Sequence, residues 1–352
     1  MDTFLSIISI IGALVILGII IMVHELGHYS IGRLCKIRIL EFSVGFGPKI
    51  KSWVKNGIIY SIRWIWLGGF TKFYGEDDEL DDTEAFNKQP AGRRALTIAA
   101  GPAFNIVFAF LFAVLVLSAF GEFVPVVNEV WEGGPAQEAG IREGDIIVEM
   151  NGVDIDFMME TAAAGRKANE QSMTITVLRG EQEISYDLEK QYFETYGELQ
   201  IGRNMAGFSY THEPTTFGFF EAIALSFKWT FSAFRETVIG FLALFSGLFA
   251  GAVPEGVKGI GGIVEELGYA LRQNFMYLLQ LCAVINISLA VFNIAPLPAL
   301  DGGRLVFIGI EKVFRKPVPR KVEGVIHFVG IILLFGLMGF FLFRDAVGWF
   351  GG

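Results

Sequence analysis

The feature that most constrains the fold is an uncharged apolar run that ends in two histidines. Phe4 to Val23 comprises 20 residues without a charge, enough helix to cross a hydrocarbon core of ~30 Å at ~1.5 Å per residue. The run leads directly into His24-Glu25-Leu26-Gly27-His28. Ionisable residues that continue an apolar span are costly unless they serve a function. The sequence therefore predicts a membrane protein with a functional site at the end of its first span.

The His-Glu-x-x-His pattern indicates a metal site. His24 and His28 are four residues apart, so they share one face of a helix and can bind one Zn²⁺ together. Glu25 would then lie where it can take a proton from a metal-bound water. The pattern also occurs by chance on soluble helices, but two of the chain's four histidines form it here. We interpret it as a zinc hydrolase site within or at the edge of the bilayer.

Composition and hydropathy predict a polytopic α-helical membrane protein. Hydrophobic residues make up 53% of the chain and charged residues 18%. Four spans are predicted, at about 4–31, 95–120, 275–300 and 324–343. The segment 217–253 is apolar but carries four charges, so we expect amphipathic helices lying against the membrane or the bundle. The alternative is a fifth span over 237–253, which would reverse the topology after it.

The distribution of charge predicts the orientation. Residues 29–94 carry 11 Lys and Arg, and residues 304–323 carry six, so the positive-inside rule places both regions in the cytoplasm. With four spans, both termini and region 121–216 then lie on the other side of the membrane. Region 121–216 has six Lys and Arg against 18 Asp and Glu. Such an acidic surface argues against nucleic-acid binding.

A catalytic zinc usually has three protein ligands, so a third is needed. The best candidate is Asp301, in the stretch Asn293–Gly303, NIAPLPALDGG. Its two prolines and two glycines break regular structure at membrane depth, which is tolerated only where the backbone is buried in protein or lines a wet cavity. A carboxylate there needs a cation. Two alternatives stay open: Asp301 caps the following helix, or His327 in the fourth predicted span is the ligand.

Three motifs together resemble a known family. HELGH ends the first span, Gly101-Pro102-Ala103-Phe104-Asn105 lies in the second and NIAPLPALDGG in the third. Their order and spacing resemble the site-2 proteases, which are intramembrane zinc metalloproteases, and in particular their bacterial, PDZ-containing, RseP-like branch. The resemblance implies that His24, His28 and Asp301 bind Zn²⁺ and that Glu25 is the catalytic base. It also implies that Asn293 contacts the substrate or the reaction intermediate.

The resemblance further implies a function and a location. It suggests cleavage of transmembrane segments in regulated intramembrane proteolysis, with membrane-anchored anti-sigma factors and remnant signal peptides as substrates. The protein would be a multi-pass protein of the bacterial cytoplasmic (inner) membrane. Its PDZ domain and both termini would be extracytoplasmic, and its active site would lie toward the cytoplasmic side. One departure is the stretch Gly259-Ile260-Gly261-Gly262-Ile263, which lacks the proline that the family often has there, so a gating role for this loop stays open.

Residues 121–205 are predicted to form one PDZ domain. Short alternating strands surround a helix that Gly140 ends, and Asn151-Gly152 is typical of a hairpin turn. The phrase AGIREGDIIVEMNG, residues 139–152, resembles bacterial PDZ domains. PDZ domains bind peptides by adding a strand to a sheet edge. The module could equally exclude substrates with bulky outer domains, and the sequence leaves both roles open.

Residues 37–75 are predicted to form a membrane-associated β-hairpin. Glu41–Pro48 is punctuated by glycine, and Ile58–Phe70 is β-prone and aromatic. We expect the hairpin to enter the membrane from the cytoplasmic side and to pair with an unwound substrate. The alternative is an interfacial aromatic belt without a substrate role. The candidate substrate-binding residues are Gly45, Phe46, Gly47, Ile62, Arg63 and Trp64.

These predictions divide the chain into four regions: an N-terminal membrane half (1–120), the PDZ domain (121–205), amphipathic helices and a loop at the membrane surface (206–274), and a C-terminal membrane half (275–352). Two other functions compete with proteolysis. One is a non-catalytic PDZ-bearing adaptor, which would have no reason to keep the metal-binding pattern and its glutamate. The other is a metal transporter with His24, His28 and Asp301 on the ion path.

Overall fold

The computed structural model describes residues 2–76, 82–196, 199–251, 258–316 and 318–350. The chain divides into two compact units, a membrane unit of residues 1–113 and 237–352 and a second unit of residues 114–236. The helices are α1 (Asp2–Leu34), α2 (Ala91–Ala119), α3 (Pro135–Ala139), α4 (Met158–Arg166), α5 (Phe219–Phe249), α6 (Ile260–Gln273), α7 (Phe275–Ile294), α8 (Asp301–Phe314) and α9 (Arg320–Phe350). The strands are β1 (Ile39–Lys55), β2 (Ile58–Phe73), β3 (Glu122–Val130), β4 (Ile146–Met150), β5 (Val153–Asp154), β6 (Ser172–Arg179), β7 (Gln182–Glu189), β8 (Gln191–Tyr196), β9 (Leu199–Met205) and β10 (Phe208–Thr215).

Within the described residues, five helices are long and apolar enough to cross a membrane: α1, α2, α5, α7 and α9. Four of them correspond to the predicted spans. The fifth, α5, corrects the prediction for 217–253, because this segment forms one continuous helix of 31 residues rather than several short ones.

Helices α1 and α7 run in the same direction through the membrane unit. Ala13 and Leu17 of α1 share a hydrophobic cluster with Leu278 and Cys282 near the start of α7. The other ends of the two helices lead to the predicted metal site. Helix α7 ends at Ile294, six residues before the predicted limit of 300, because the prolines that follow cannot supply helical N–H donors.

Helix α6 is short and packs against the N-terminal half of α1. Its Leu267 lies in the same cluster as Ala13 and Leu17. At its start, the Gly262 amide donates to the Asp345 carboxylate of α9, with an N–O distance of 3.1 Å. Its 14 residues extend only ~21 Å at ~1.5 Å per residue, too little to cross a ~30 Å core.

The predicted β-hairpin is present as β1 and β2, which are antiparallel and joined by a turn at Asn56 and Gly57. Residues 41–44 of β1 are paired on both sides, with 69–72 and with 59–62. This arrangement requires a change of strand direction at Gly45, whose φ is +87°. A side chain at Gly45 would also place its Cβ 2.7 Å from the Ile65 carbonyl oxygen, so glycine is needed there.

The second unit contains an antiparallel sheet whose strand order differs from the order along the chain. The strand order is β10-β3-β4-β6-β7, and β5 pairs with β4. As predicted, Gly140 ends α3 with a left-handed φ of 90°, and Asn151 and Gly152 form a turn with φ values of 52° and 68°. Strand β10 (Phe208–Thr215) lies beyond the predicted limit at residue 205, pairs with β3 and completes the sheet.

The first half of α5 packs against α4 within this second unit. Ser232 donates to the buried Glu160 carboxylate at 2.6 Å, and Lys228 lies 3.1 Å from Asp156. Residues 228 and 232 are one turn apart, so they share one face of α5. Lys228 and Ser232, on an otherwise apolar helix, therefore have partners in or just before α4.

Candidate metal centre

Three potential ligand atoms converge where α1 and α8 meet. His24 Nε2 lies 3.0 Å from Asp301 Oδ2, and His28 Nε2 lies 3.3 Å from the same oxygen. The two Nε2 atoms are 3.0 Å apart. All three side chains are mostly buried, with 8%, 11% and 17% of their surface exposed.

This geometry fits a bound cation. Ligand atoms of a tetrahedral zinc with bonds of ~2.0–2.1 Å lie roughly 3.3 Å apart. Two histidines and one carboxylate are a usual donor set for catalytic zinc, which keeps a further position open. The two imidazole nitrogens, 3.0 Å apart, and the carboxylate oxygen beside them form three donor atoms for one cation. The residues present therefore fit Zn²⁺.

The opposite nitrogen of each imidazole is fixed by α2. His28 Nδ1 donates to the Thr97 carbonyl at 2.9 Å, which leaves Nε2 free to bind metal. His24 Nδ1 lies 3.3 Å from the side-chain amide of Asn105. Asn105 is fully buried, and its Oδ1 has no hydrogen-bond partner among the described residues. Turning this amide so that Oδ1 accepts from His24 Nδ1–H satisfies both groups.

Asn105 has a structural role that the sequence did not reveal. Its motif, GPAFN, contributed to the family resemblance, but spacing alone cannot show that residue 105 approaches residue 24. Gly101 of the same motif lies directly against the imidazoles: a Cβ there would lie 2.5 Å from His28 Nε2 and 2.7 Å from His24 Cε1. The motif therefore combines a close approach of α2 with a hydrogen bond to a ligand.

Glu25 lies beside the three atoms and faces a cavity. One of its carboxylate oxygens and ligand nitrogens of both histidines lie within 4.8 Å of one another. The Thr71 hydroxyl of β2 donates to the Glu25 backbone carbonyl at 3.1 Å, which holds β2 against this turn of α1. The cavity has a volume of 440 Å³ and is lined by Glu25, His28, Phe70, Thr71, Lys72, Phe73, Glu76, Ile98, Asp301 and Arg304.

Both alternatives for Asp301 are wrong. Leu300, not Asp301, occupies the N-cap of α8, so the Asp301 carboxylate is directed at the histidines instead of the helix start. His327 does not join the cluster. Its Nδ1 accepts a hydrogen bond from the Ala299 amide at 2.8 Å.

The predicted substrate residues Asn293 and Arg63 have hydrogen-bond partners within the fold. Asn293 donates to the Leu289 carbonyl of its own helix at 2.9 Å. Arg63 donates to the Gly47 carbonyl at 2.6 Å and to Glu41 at 2.8 Å.

The hairpin edge at the metal centre is also different from the one expected. Ile62 has partners on both sides, Val44 and Lys51, so it does not lie at a free edge of the hairpin. Trp64 is 69% exposed, and neither it nor Gly45, Phe46 or Gly47 is among the described residues that line the cavity. The segment that lines it is 70–73, whose pairing among the described strands is with β1 only.

The bundle and the buried His-His-Asp set with an adjacent glutamate define a membrane metallohydrolase. The chain belongs to peptidase family M50, the site-2 protease family, whose family model matches residues 12–337. It is a zinc metalloprotease and a multi-pass membrane protein, and the predicted cofactor, Zn²⁺, is confirmed.

Similar proteins cover almost the whole chain. The zinc metalloprotease RasP of Geobacillus kaustophilus is 29% identical, with 94% of this chain and 96% of RasP covered. A proposed zinc metalloprotease of Clostridium perfringens is 32% identical over 96% of this chain and 98% of its own length. A third relative, a proposed zinc metalloprotease of Synechocystis, is 32% identical over 97% of this chain and 96% of its own length.

Proposed function

We propose that this zinc metalloprotease cleaves peptide bonds within transmembrane segments of membrane proteins. One observation carries the proposal. His24, His28, Asp301 and Glu25 meet beside a cavity at the ends of two apolar helices. A substrate that reaches these residues approaches from within or from the edge of the bilayer.

The roles of the four residues follow from their atoms. His24 Nε2, His28 Nε2 and Asp301 Oδ2 hold the zinc. When bound, Zn²⁺ supplies Lewis acidity, which acidifies water and polarises a carbonyl. The Glu25 carboxylate takes a proton from the attacking water and passes it to the leaving amine. Asn105 and the Thr97 carbonyl keep the imidazoles oriented throughout.

A transmembrane substrate must lose its helical hydrogen bonds before its carbonyls can be attacked, and these bonds must be replaced. We place the replacement at 69–73 of β2, instead of at Ile62 and Trp64. This segment pairs with β1 on one side, and its residues 70–73 line the cavity beside Glu25. An extended substrate can add to it as a further strand. Asn293 stays a candidate for contact with the substrate.

The path of the chain supports four membrane crossings. Helices α1 and α7 run in the same direction, and both lead toward regions rich in Lys and Arg. Helix α6 is too short to cross and packs on the starting side of α1. The α5–α6 segment therefore returns to the side where it began, and α5 adds no net crossing. The Lys- and Arg-rich regions are assigned to the cytoplasm, and the second unit and both termini to the other side of the bacterial inner membrane.

The finer assignments follow the sequence predictions. We propose that the second unit is a PDZ-like domain that binds a peptide or filters substrates by size. The substrate classes are membrane-anchored anti-sigma factors and remnant signal peptides, within regulated intramembrane proteolysis. An adaptor would not require a buried glutamate beside a metal site.

The test uses the purified full chain in detergent with a model single-span substrate that lacks a bulky outer domain. The parent should cleave it, while Glu25→Gln should lose at least ~100-fold in rate, because general acid–base catalysis contributes ~10²–10⁴-fold. Both proteins should bind one zinc. Equal cleavage by Glu25→Gln would refute the role of Glu25. Zinc-dependent metal uptake into vesicles without peptide cleavage would favour the transporter instead.

A further inference from the structure

His327 lies outside the metal-binding cluster but is bonded to the segment that carries Asp301. Its Nδ1 accepts from the Ala299 amide at 2.8 Å. Ala299 is two residues before Asp301 and has a φ of +71°, in the left-handed region that residues with a Cβ rarely adopt. Something in the surroundings must hold this conformation.

The segment Ala295–Leu300 has few backbone donors, because Pro296 and Pro298 have no N–H. The Leu297 amide donates to the Ala295 carbonyl at 2.7 Å, and the Leu300 amide donates to the Leu297 carbonyl at 3.3 Å. Both of these bonds lie within the turn, whereas the bond from Ala299 to His327 connects the turn to a neighbouring helix.

Helix α9 packs closely against the turn at a glycine. Gly330 lies one turn after His327, and a Cβ there would overlap Pro298. The ring of Phe307, on α8, lies 5.5 Å from the His327 ring. The imidazole thus contacts both the turn and the helix that begins with Asp301.

The hydrogen bond also fixes the form of the imidazole. An amide N–H can only donate, so Nδ1 must offer a lone pair, and the ring proton lies on Nε2. Nε2 lies 4.0 Å from the Glu323 carboxylate, one turn earlier on α9. The Glu323 carboxylate is therefore an acceptor near the Nε2 proton.

We infer that His327 is a positioning residue for the metal centre: through the Ala299 amide it holds the turn that places the Asp301 carboxylate against His24 and His28. The inference rests on the proposed function for its activity readout only. Zinc affinity tests it independently.

The test compares three substitutions at one position. In His327→Asn, Oδ1 takes the place of Nδ1 and can accept from Ala299. His327→Leu has nearly the same shape as Asn but no acceptor, and His327→Gln places its carbonyl one bond further along the side chain. Phe328→Leu, at a neighbouring position that is 62% exposed, serves as the control.

Zinc affinity is measured by competition with a chelator, and kcat and KM with the single-span substrate. Loss of an outer hydrogen bond to a metal site typically costs 10–100-fold in affinity. We expect that loss for His327→Leu and His327→Gln, together with a lower kcat and a nearly unchanged KM. The zinc affinity of His327→Asn should stay within about threefold of the parent, because its Oδ1 restores the acceptor for the Ala299 amide. The zinc affinity of Phe328→Leu should also stay within about threefold.

Equal zinc affinity for the Asn and Leu variants, whether high or low, would overturn the inference, because they differ in the acceptor and not in shape. If His327→Leu does not fold, the comparison of Asn with Gln decides in the same way. Parent protein that binds zinc but cleaves no peptide would refute the proposed function, while the order of zinc affinities would still decide the role of His327.

Discussion

Asp145 in the second unit and Asp301 in the membrane unit are both carboxylates with little exposure to water, but their surroundings differ. Asp145 accepts from Arg179 Nε and Nη2, both at 2.7 Å, and from the Arg142 amide at 2.9 Å. Asp301 Oδ2 instead faces the nitrogens of His24 and His28. The chain itself thus compensates the first carboxylate, whereas the second is arranged for a cation from outside.

This difference distinguishes two kinds of buried carboxylate, one that stabilises the fold and one that binds a metal. A carboxylate surrounded by donors of its own chain stabilises the fold. A carboxylate that faces other metal-binding atoms leaves a favourable position for a metal and a less favourable apoprotein. The two kinds of site should therefore respond differently to metal, to packing and to pH.

The largest expected effect comes from removal of the metal. Chelation should reduce cleavage to background, and added Zn²⁺ should restore it. Without zinc the three zinc-binding atoms, which lie 3.0–3.3 Å apart, lose the cation that they share, so hydrogen exchange should increase near His28 and Asp301. The module around β3–β7 should be unaffected. An equal increase in both units would contradict the comparison.

The next effect tests the close packing of α2 on the histidines. Gly101→Ala places a Cβ 2.5 Å from His28 Nε2, so the imidazoles must shift. We expect zinc affinity to fall at least ~10-fold, as for other changes that disturb ligand orientation. Gly92→Ala is the matched control in the same helix, because nothing lies within 4 Å of its added Cβ. Unchanged affinity in Gly101→Ala would show that the site tolerates displaced ligands.

A smaller effect is expected at Asp145, whose charge is compensated by donors of the chain itself. Asp145→Asn keeps the shape of the side chain but removes its charge, which should lower the local stability of the module by about 2 kcal/mol, the usual size for hydrogen bonds to charged groups. Exchange of the β4 and β6 amides in the full chain measures this change. Zinc affinity should be unaltered. Asp187→Asn, at an exposed position of β7, should change stability by less than ~0.5 kcal/mol.

The smallest effect concerns pH. Burial raises the pKa of Asp145, but the hydrogen bonds from Arg179 and the Arg142 amide outweigh it and hold this pKa below its usual range. A lowered pKa in the folded state means that the stabilisation is complete above the unfolded value of ~3.9. It is lost as the pH falls through the folded value. Exchange protection of the module, corrected for intrinsic rates, should therefore decline below about pH 4, and this contribution should be absent in Asp145→Asn.

The spans were predictable because a helix in lipid must satisfy its own backbone and expose apolar side chains. Helix α5 was not, since its charges have partners that only the fold reveals: Lys228 pairs with Asp156, and Glu236 with Arg166. The predicted span 275–300 extends six residues beyond the end of α7 at Ile294, although the break in regular structure at Pro296 and Pro298 was predicted.

The approach of Asp301 to the histidines was predictable because a carboxylate at membrane depth needs a cation. The choice between Asp301 and His327 was not, since it depends on which way α9 faces. The pairing within the hairpin was not predictable for a similar reason. Positive φ values at Gly45 and Gly47 bend β1 so that residues 41–44 are paired on both sides, and aromatic composition does not encode that bend.

The proposed pairing of a substrate with 69–73 has a consequence for the products. Donors and acceptors along a strand alternate with a period of two residues, and a slip by one residue turns every side chain to the opposite face. A substrate strand bound to this edge can therefore shift only in steps of two residues while keeping its pairing. Where a substrate is cut at more than one position, the ends of its fragments should differ by even numbers of residues.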